Sequence, residues 1–201
     1  MRYILVFLAV LLTACAPIVP DVNNRYKLIA YSHEKIAAKK TDITILVSQS
    51  QAISGYQTEQ MLYSDKPYQL SSFVKNSWIS PPSGMLTPLI AQSLEHSNFF
   101  FAVASGPDAD KTDYRLDTQI IELQQNFLVK PSQIEFVVQT SLSHIDDNRL
   151  VSSQTFVIRT PCVSNNPYGG VVAANKTMQT FTKELTKYVI YHIKLDNKLL
   201  V

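Results

Sequence analysis

The sequence predicts an α+β fold: a mixed, mostly antiparallel β-sheet packed against two main helices, preceded by a lipoprotein signal and a short tether. Three observations carry this. Several segments alternate apolar and polar residues with the period of a strand, and two segments repeat apolar residues at intervals of three and four. The first fifteen residues combine a positive charge, an apolar run and a cysteine. Strand clusters separated by helices argue for helices segregated to one side of a sheet. The single apolar stripe on each helix places both on the same face.

The elements follow in order. Met1-Arg2 is a positive start, residues 3–12 (YILVFLAVLL) are uncharged, and Leu12-Thr13-Ala14-Cys15 follows. That run has the length of a secretory signal and falls short of the roughly 20 residues a spanning helix needs. The small residues before Cys15 match the bacterial lipobox, in which the cysteine becomes the first mature residue and carries lipid. The expected organisation is a signal peptide over 1–14, a lipidated N-terminus and tether over 15–24, and one domain over 25–201. Three alkyl tails on Cys15, at about 0.8 kcal/mol per buried CH₂, make a permanent anchor. Ala16 rather than Asp after the cysteine favours the inner leaflet of the outer membrane. The protein is therefore expected on the periplasmic face, lipid-anchored. Residues 16–24 (APIVPDVNN) hold two Pro and read as the tether.

Residues 25–32 (RYKLIAYS) and 42–49 (DITILVSQ) alternate as strands, and 51–58 connect. Residues 60–64 and 68–73 read as two short strands around an Asp65-Lys66-Pro67 turn. Pro81-Pro82 opens a helix region. Met85, Leu86, Leu89, Ile90 and Leu94 give the first helix over 85–96, with Asn98 as its stop. Residues 99–104 (FFFAVA) form an apolar strand, and 105–111 a loop. Residues 114–127 make a long strand that breaks phase at Ile120-Ile121, the mark of a bulge. Residues 133–144 alternate cleanly, Asp146-Asp147-Asn148 is a hairpin turn, and 149–160 return. Asn165 or Asn166 before Pro167 resembles a helix entry. The last helix spans 171–193 on the stripe Val171, Ala174, Met178, Phe181, Leu185, Tyr188 and His192.

Composition narrows the function. The 201 residues carry 18 Lys or Arg and 16 Asp or Glu, a net charge of +2, with 46% hydrophobic and 17% charged residues. This excludes a disordered chain and a nucleic-acid binder. Two Cys exclude a disulfide scaffold. With Cys15 acylated, Cys162 has no intramolecular partner. His33, His96, His144 and His192 stand in no metal-ligand spacing, so no metal is expected. There is no G-x-S-x-G elbow and no phosphate-binding Gly loop. Asp146 and Asp147 are explained by their turn. No catalytic residue is expected, and no cofactor beyond the covalent lipid.

One ordered set of segments carries family information. Residues 63–70 (YSDKPYQL) lead into 73–78 (FVKNSW) and Pro81-Pro82. Met85-Leu86, residues 99–101 (FFF), 113–116 (DYRL) and 169–175 (GGVVAAN) follow. Together these resemble the ABC-type transport auxiliary lipoproteins, over about residues 26–189. That family includes the lipoprotein of the paraquat-inducible intermembrane transport system. Ser77 stands where family members usually have Arg before the Trp. The resemblance implies a non-enzymatic docking element at the outer membrane. Its expected partners are a periplasmic MCE-domain protein with its inner-membrane permease and ATPase, moving lipid or another hydrophobic substrate. A homo-oligomeric ring is also implied. Tyr63, Tyr68, Trp78 and Tyr168 are the candidate partner-interface residues, each equally explicable by core packing. Two other readings stand beside this one: a stand-alone lipoprotein binding a small hydrophobic ligand, and a structural cell-envelope factor.

Overall fold

The computed structural model describes residues 23–106 and 111–199. The signal, Cys15 and the tether through residue 22 lie outside the described residues, as do 107–110. In chain order the elements are β1 (Asn24–Tyr26), β2 (Thr44–Val47), β3 (Gln51–Ala52), β4 (Gln60–Ser64) and β5 (Ser71–Trp78). Helix α1 (Pro82–His96), β6 (Ala102–Ala104), β7 (Tyr114–Asn126), β8 (Gln133–His144), β9 (Leu150–Pro161) and helix α2 (Pro167–Leu199) complete them.

The sheet is built around β7. One edge of β7 pairs antiparallel with β8 along its whole length, and β8 pairs in the same way with β9. The other edge takes β2, β3 and β4 one after another in parallel, opposite Tyr114–Leu116, Gln119–Ile120 and Gln125–Asn126. Beyond them β6 joins β2, β5 joins β4, and β1 joins β5. The register of β7 with β8 shifts between Ile120 and Glu122, which is the bulge the phase break predicts.

Both helices cover the same face. Tyr114, Leu116, Ile120 and Leu123 of β7 and Ile134, Phe136, Val138 and Leu142 of β8 are buried beneath them. The opposite face carries Asp117, Gln119, Gln139 and Ser141, and no helix among the described residues covers it. Phe181 of α2 meets the Phe136 and Phe156 rings edge-on at 5.2 and 5.6 Å. Such a fully buried aromatic contributes about 1.5–3 kcal/mol. A seam of hydroxyls joins the helices: Ser93 Oγ lies 2.9 Å from Thr186 Oγ1 and donates to the Thr182 carbonyl at 3.2 Å.

The entry to α2 is a capped turn. The Asn166 side chain accepts the Gly169 N–H at 2.8 Å, with Pro167 in the first helical position. The helix runs 33 residues, ten beyond the span its stripe predicts. The stripe also drifts. Met178, Phe181 and Leu185 are buried, but Tyr188 and His192 are only half-buried, and Val189, Ile193 and Asp196 replace them. A 3-4 spacing averages 3.5 residues and the helix turns every 3.6, so the true contact line rotates about 20° per heptad.

Other boundaries differ for definable reasons. Residues 25–32 are a strand only through Tyr26. Beyond it the backbone leaves the sheet and takes its partners from helix side chains: the N–H groups of Ile29 and Ala30 bond to Asn175 Oδ1, and that of Ser32 to Thr182 Oγ1. The strand expected at 68–73 begins at Ser71 and ends at Trp78, because Tyr68 sits in the turn with φ of 64°. Helix α1 begins at Pro82 and not at Met85. Asn98 does terminate it, at φ of 58°.

The sheet has two unlike ends. At one, the Phe127 N–H bonds to the Ser64 carbonyl at 2.8 Å and the Cys162 N–H to the Ser132 carbonyl at 2.7 Å. These bonds gather the β4–β5 hairpin, the β7–β8 turn and the β9–α2 loop. The other end holds the β8–β9 turn and the C-terminus of α2, tied by Arg149 and Asp196 at 2.8 Å.

Candidate functional site

The sheet end that carries the β4–β5 hairpin is where the candidate aromatics begin. Tyr63, at the close of β4, is half-buried. Its ring lies 4.5 Å from Phe73 and meets Phe127 edge-on at 5.9 Å, so an aromatic cluster braces the hairpin against the β7–β8 turn. Above that cluster Tyr68 is fully exposed. Tyr168, in the first turn of α2, is 61% exposed and lies 6.2 Å from Tyr26. Trp78 closes β5 at the far side and is 4% exposed, packed with Met61, Leu123 and Ile134. The structure thus leaves three of the four candidates with solvent contact and puts Trp78 in the core.

Sequence reasoning missed the neighbours of Tyr68. Leu70, Leu128, Val129 and Val163 are all exposed at this same end, and Val74 is exposed within β5. The available signal was apolar side chains lodged in turns, as in Leu128-Val129 before Lys130-Pro131.

Beside Tyr168 runs an open groove of about 620 Å³, lined by Tyr26, Ile29, Ile79 and Val172 with Arg25 and Lys27 at its rim. That is a small-ligand volume, although the groove is open to solvent. By contrast, the cavity below Trp78 holds about 10 Å³, the room of one water molecule.

The ionisable groups form structural clasps. Asp196 is 4% exposed, accepts the Tyr114 hydroxyl at 2.9 Å and pairs with Arg149 at 2.8 Å. Burial alone would raise its pKa, but Arg149 and Tyr114 outweigh that and hold the carboxyl below its ordinary range. Burial, then the Asp196 carboxylate, drives the Tyr114 hydroxyl well above the usual tyrosine value, so it donates and does not ionise. Asp147 accepts the Arg149 N–H at 3.1 Å, which accounts for it as a turn residue. On the open face, burial and neighbouring Glu135 raise the Glu122 carboxyl. Burial, Glu122 and Glu135 also push the Tyr56 hydroxyl up to about 12. Glu135 lies low because Asn126, Gln133 and Gln124 donate to it, against its burial.

Cys162 is a buried free thiol, raised by desolvation. The rings of His33 and His96 stand 4.9 Å apart, with the Tyr31 hydroxyl 3.3 Å from His96 Nε2. Among the described residues no group of three or more His, Cys, Asp or Glu side chains is placed to hold a metal ion. No helix in them is long and apolar enough to cross a membrane. What the surface offers is apolar area and lysines, the chemistry of docking.

Three comparisons bear on this surface. The family model for the ABC-type transport auxiliary lipoprotein component matches residues 26–186. No curated protein matches the chain. Among solved structures, protein XCC0632 from Xanthomonas campestris is similar, with a TM-score of 0.78 at 18% identity, over 87% of this chain and 99% of that one. An uncharacterized protein superposes with a TM-score of 0.67 at 13% identity, over 84% of this chain and 99% of its own. These two likenesses show the fold.

Proposed function

The chain belongs to the ABC-type transport auxiliary lipoprotein family, and from that premise we propose that it is the outer-membrane-anchored, non-catalytic auxiliary component of an MCE/ABC-type intermembrane transport system for lipid or another hydrophobic substrate. In this reading Cys15 carries the lipid and the domain faces the periplasm. It receives an MCE-domain protein whose inner-membrane permease and ATPase supply the energy, and a homo-oligomeric ring of such domains forms the outer-membrane end. The family match over nearly the whole domain carries the proposal. The site chemistry supports it: the buried Asp196 is paired within the fold by Arg149 and Tyr114, and the groups of interest with solvent contact are half-buried Tyr63 and exposed Tyr68 and Tyr168 with their apolar neighbours.

The test is affinity purification from detergent-solubilised membranes, with mass spectrometry of proteins and lipids and the Cys15→Ala chain alongside. An MCE-domain protein recovered with the anchored form is the expected outcome. Phospholipid without any partner protein, even after cross-linking, overturns the proposal. That result would favour the second reading, a stand-alone binder of a small hydrophobic ligand, for which the apolar groove beside Tyr168 is the seat. A Tyr168→Asp exchange then weakens ligand binding.

A further inference from the structure

We propose that the sheet end formed by the β4–β5 hairpin, the β7–β8 turn and the β9–α2 loop is a membrane-contact surface that rests in the headgroup region of an anionic bilayer. The inference rests on the anchored reading above and adds how the domain sits on its membrane. Tyr68, Leu70, Leu128, Val129 and Val163 are exposed there, on three segments distant in sequence. Backbone bonds from Phe127 to Ser64 and from Cys162 to Ser132 hold those segments together, so the apolar residues form one rim. A large exposed apolar area kept on a rigid frame marks a contact surface.

Charge selects the occupant. Lys66 and Lys130 lie in the hairpin and the turn, with Asp65 the one carboxylate between β4 and β5. The opposite end mixes both signs, with Lys39, Lys40, Lys111, Arg149, Lys194 and Lys198 beside Asp42, Asp113, Asp146, Asp147 and Asp196. Lysines beside apolar tips, with a single carboxylate among them, suit an anionic lipid surface.

The course of the chain gives an independent argument. β1 runs parallel to β5 with Asn24 opposite Asn76, so the chain enters β1 from the side on which β5 begins. That is the hairpin side. Cys15 precedes Asn23 by eight residues, a reach of at most about 28 Å. The anchor is thus leashed on the hairpin side of β1.

The test uses the mature lipidated chain in phosphatidylethanolamine/phosphatidylglycerol vesicles, with and without brominated acyl chains. Tyr68→Trp, Leu128→Trp and, at the far end, Asp146→Trp report in turn over the constant background of buried Trp78. Bromolipid is expected to lower the added emission at 68 and 128 by about half, the depth of an interfacial side chain, and to leave 146 unchanged. Replacing phosphatidylglycerol by phosphatidylcholine weakens the quenching. Flotation of the vesicles reads the anchor separately. A chain that floats with no quenching at 68 and 128, or with equal quenching at 146, overturns the contact surface and spares the anchor. A chain that does not float refutes the anchor, and the surface is then judged by the same quenching in excess lipid. A blue shift that needs an added protein partner and not lipid also overturns the proposal.

Discussion

Gly169 is the residue at which one methyl group costs most. A Cβ built there stands 2.1 Å from the Ser164 carbonyl oxygen, a backbone atom that cannot swing aside. The Asn166 cap requires that closeness, because it draws the Gly169 N–H into the same turn. Gly169→Ala is expected to destabilise the fold by about 2–3 kcal/mol, which for a domain of this size lowers Tm by roughly 5–10 °C. Scanning calorimetry checks it. Asp196 supplies a pH dependence. Its folded pKa is depressed, so its contribution is present above the unfolded value and disappears as pH falls through the folded one. Thermal melts should therefore show stability declining below about pH 4. Asp196→Asn should lower Tm at pH 7 by a few degrees and narrow the gap between pH 7 and pH 3. An unchanged gap would remove Asp196 as its source. The helix entry was legible as Asn165 or Asn166 before Pro167, whereas the Asp196–Arg149–Tyr114 clasp joins residues up to 82 positions apart only through the fold.

At the level of elements, periodicity served best where the sheet alone decides. The span of β8 matches its alternation residue for residue, and β4 takes the span 60–64 that its sequence predicts. It failed where a segment alternates but finds its hydrogen bonds elsewhere. Residues 27–32 have the pattern of a strand, yet α2 supplies the partners. Asn175 accepts the Ile29 and Ala30 N–H groups and donates to the carbonyls of Lys27 and Val171. Glu34 adds ion pairs to Lys183 and Lys187 at 3.0 and 2.8 Å, which lower its carboxyl pKa. One asparagine thus stands in for a neighbouring strand, and no sequence periodicity encodes that. Asn175→Ala should strip these bonds, cost about 1–3 kcal/mol and leave the rest of the sheet paired. Hydrogen exchange should then accelerate selectively at Ile29 and Ala30. Uniform acceleration across β7 and β8 would show global unfolding instead.

For the whole molecule, the fold class, the number of helices and their shared face follow from two stripes and a handful of alternations. The polarity of the ends does not. It emerges only when β7 brings hairpin, turn and loop together from three stretches of chain, each unremarkable alone. The same assembly explains why Tyr63 and Tyr68 end up beside Leu128, and why Trp78, eleven residues beyond the Asp65-Lys66-Pro67 turn, does not. Spanning both ends is α2, whose 33 residues measure about 50 Å. A rod of that length acts as a lever. A rocking of only about 10° at the bilayer would sweep its far end through roughly 9 Å, close to the spacing of two packed sheets. A leash alone leaves such rocking unchecked, whereas three footholds under one end of the rod hold its aim. With the proposed membrane contact in place, the bearing of the far end is set by loops at the opposite pole of the molecule.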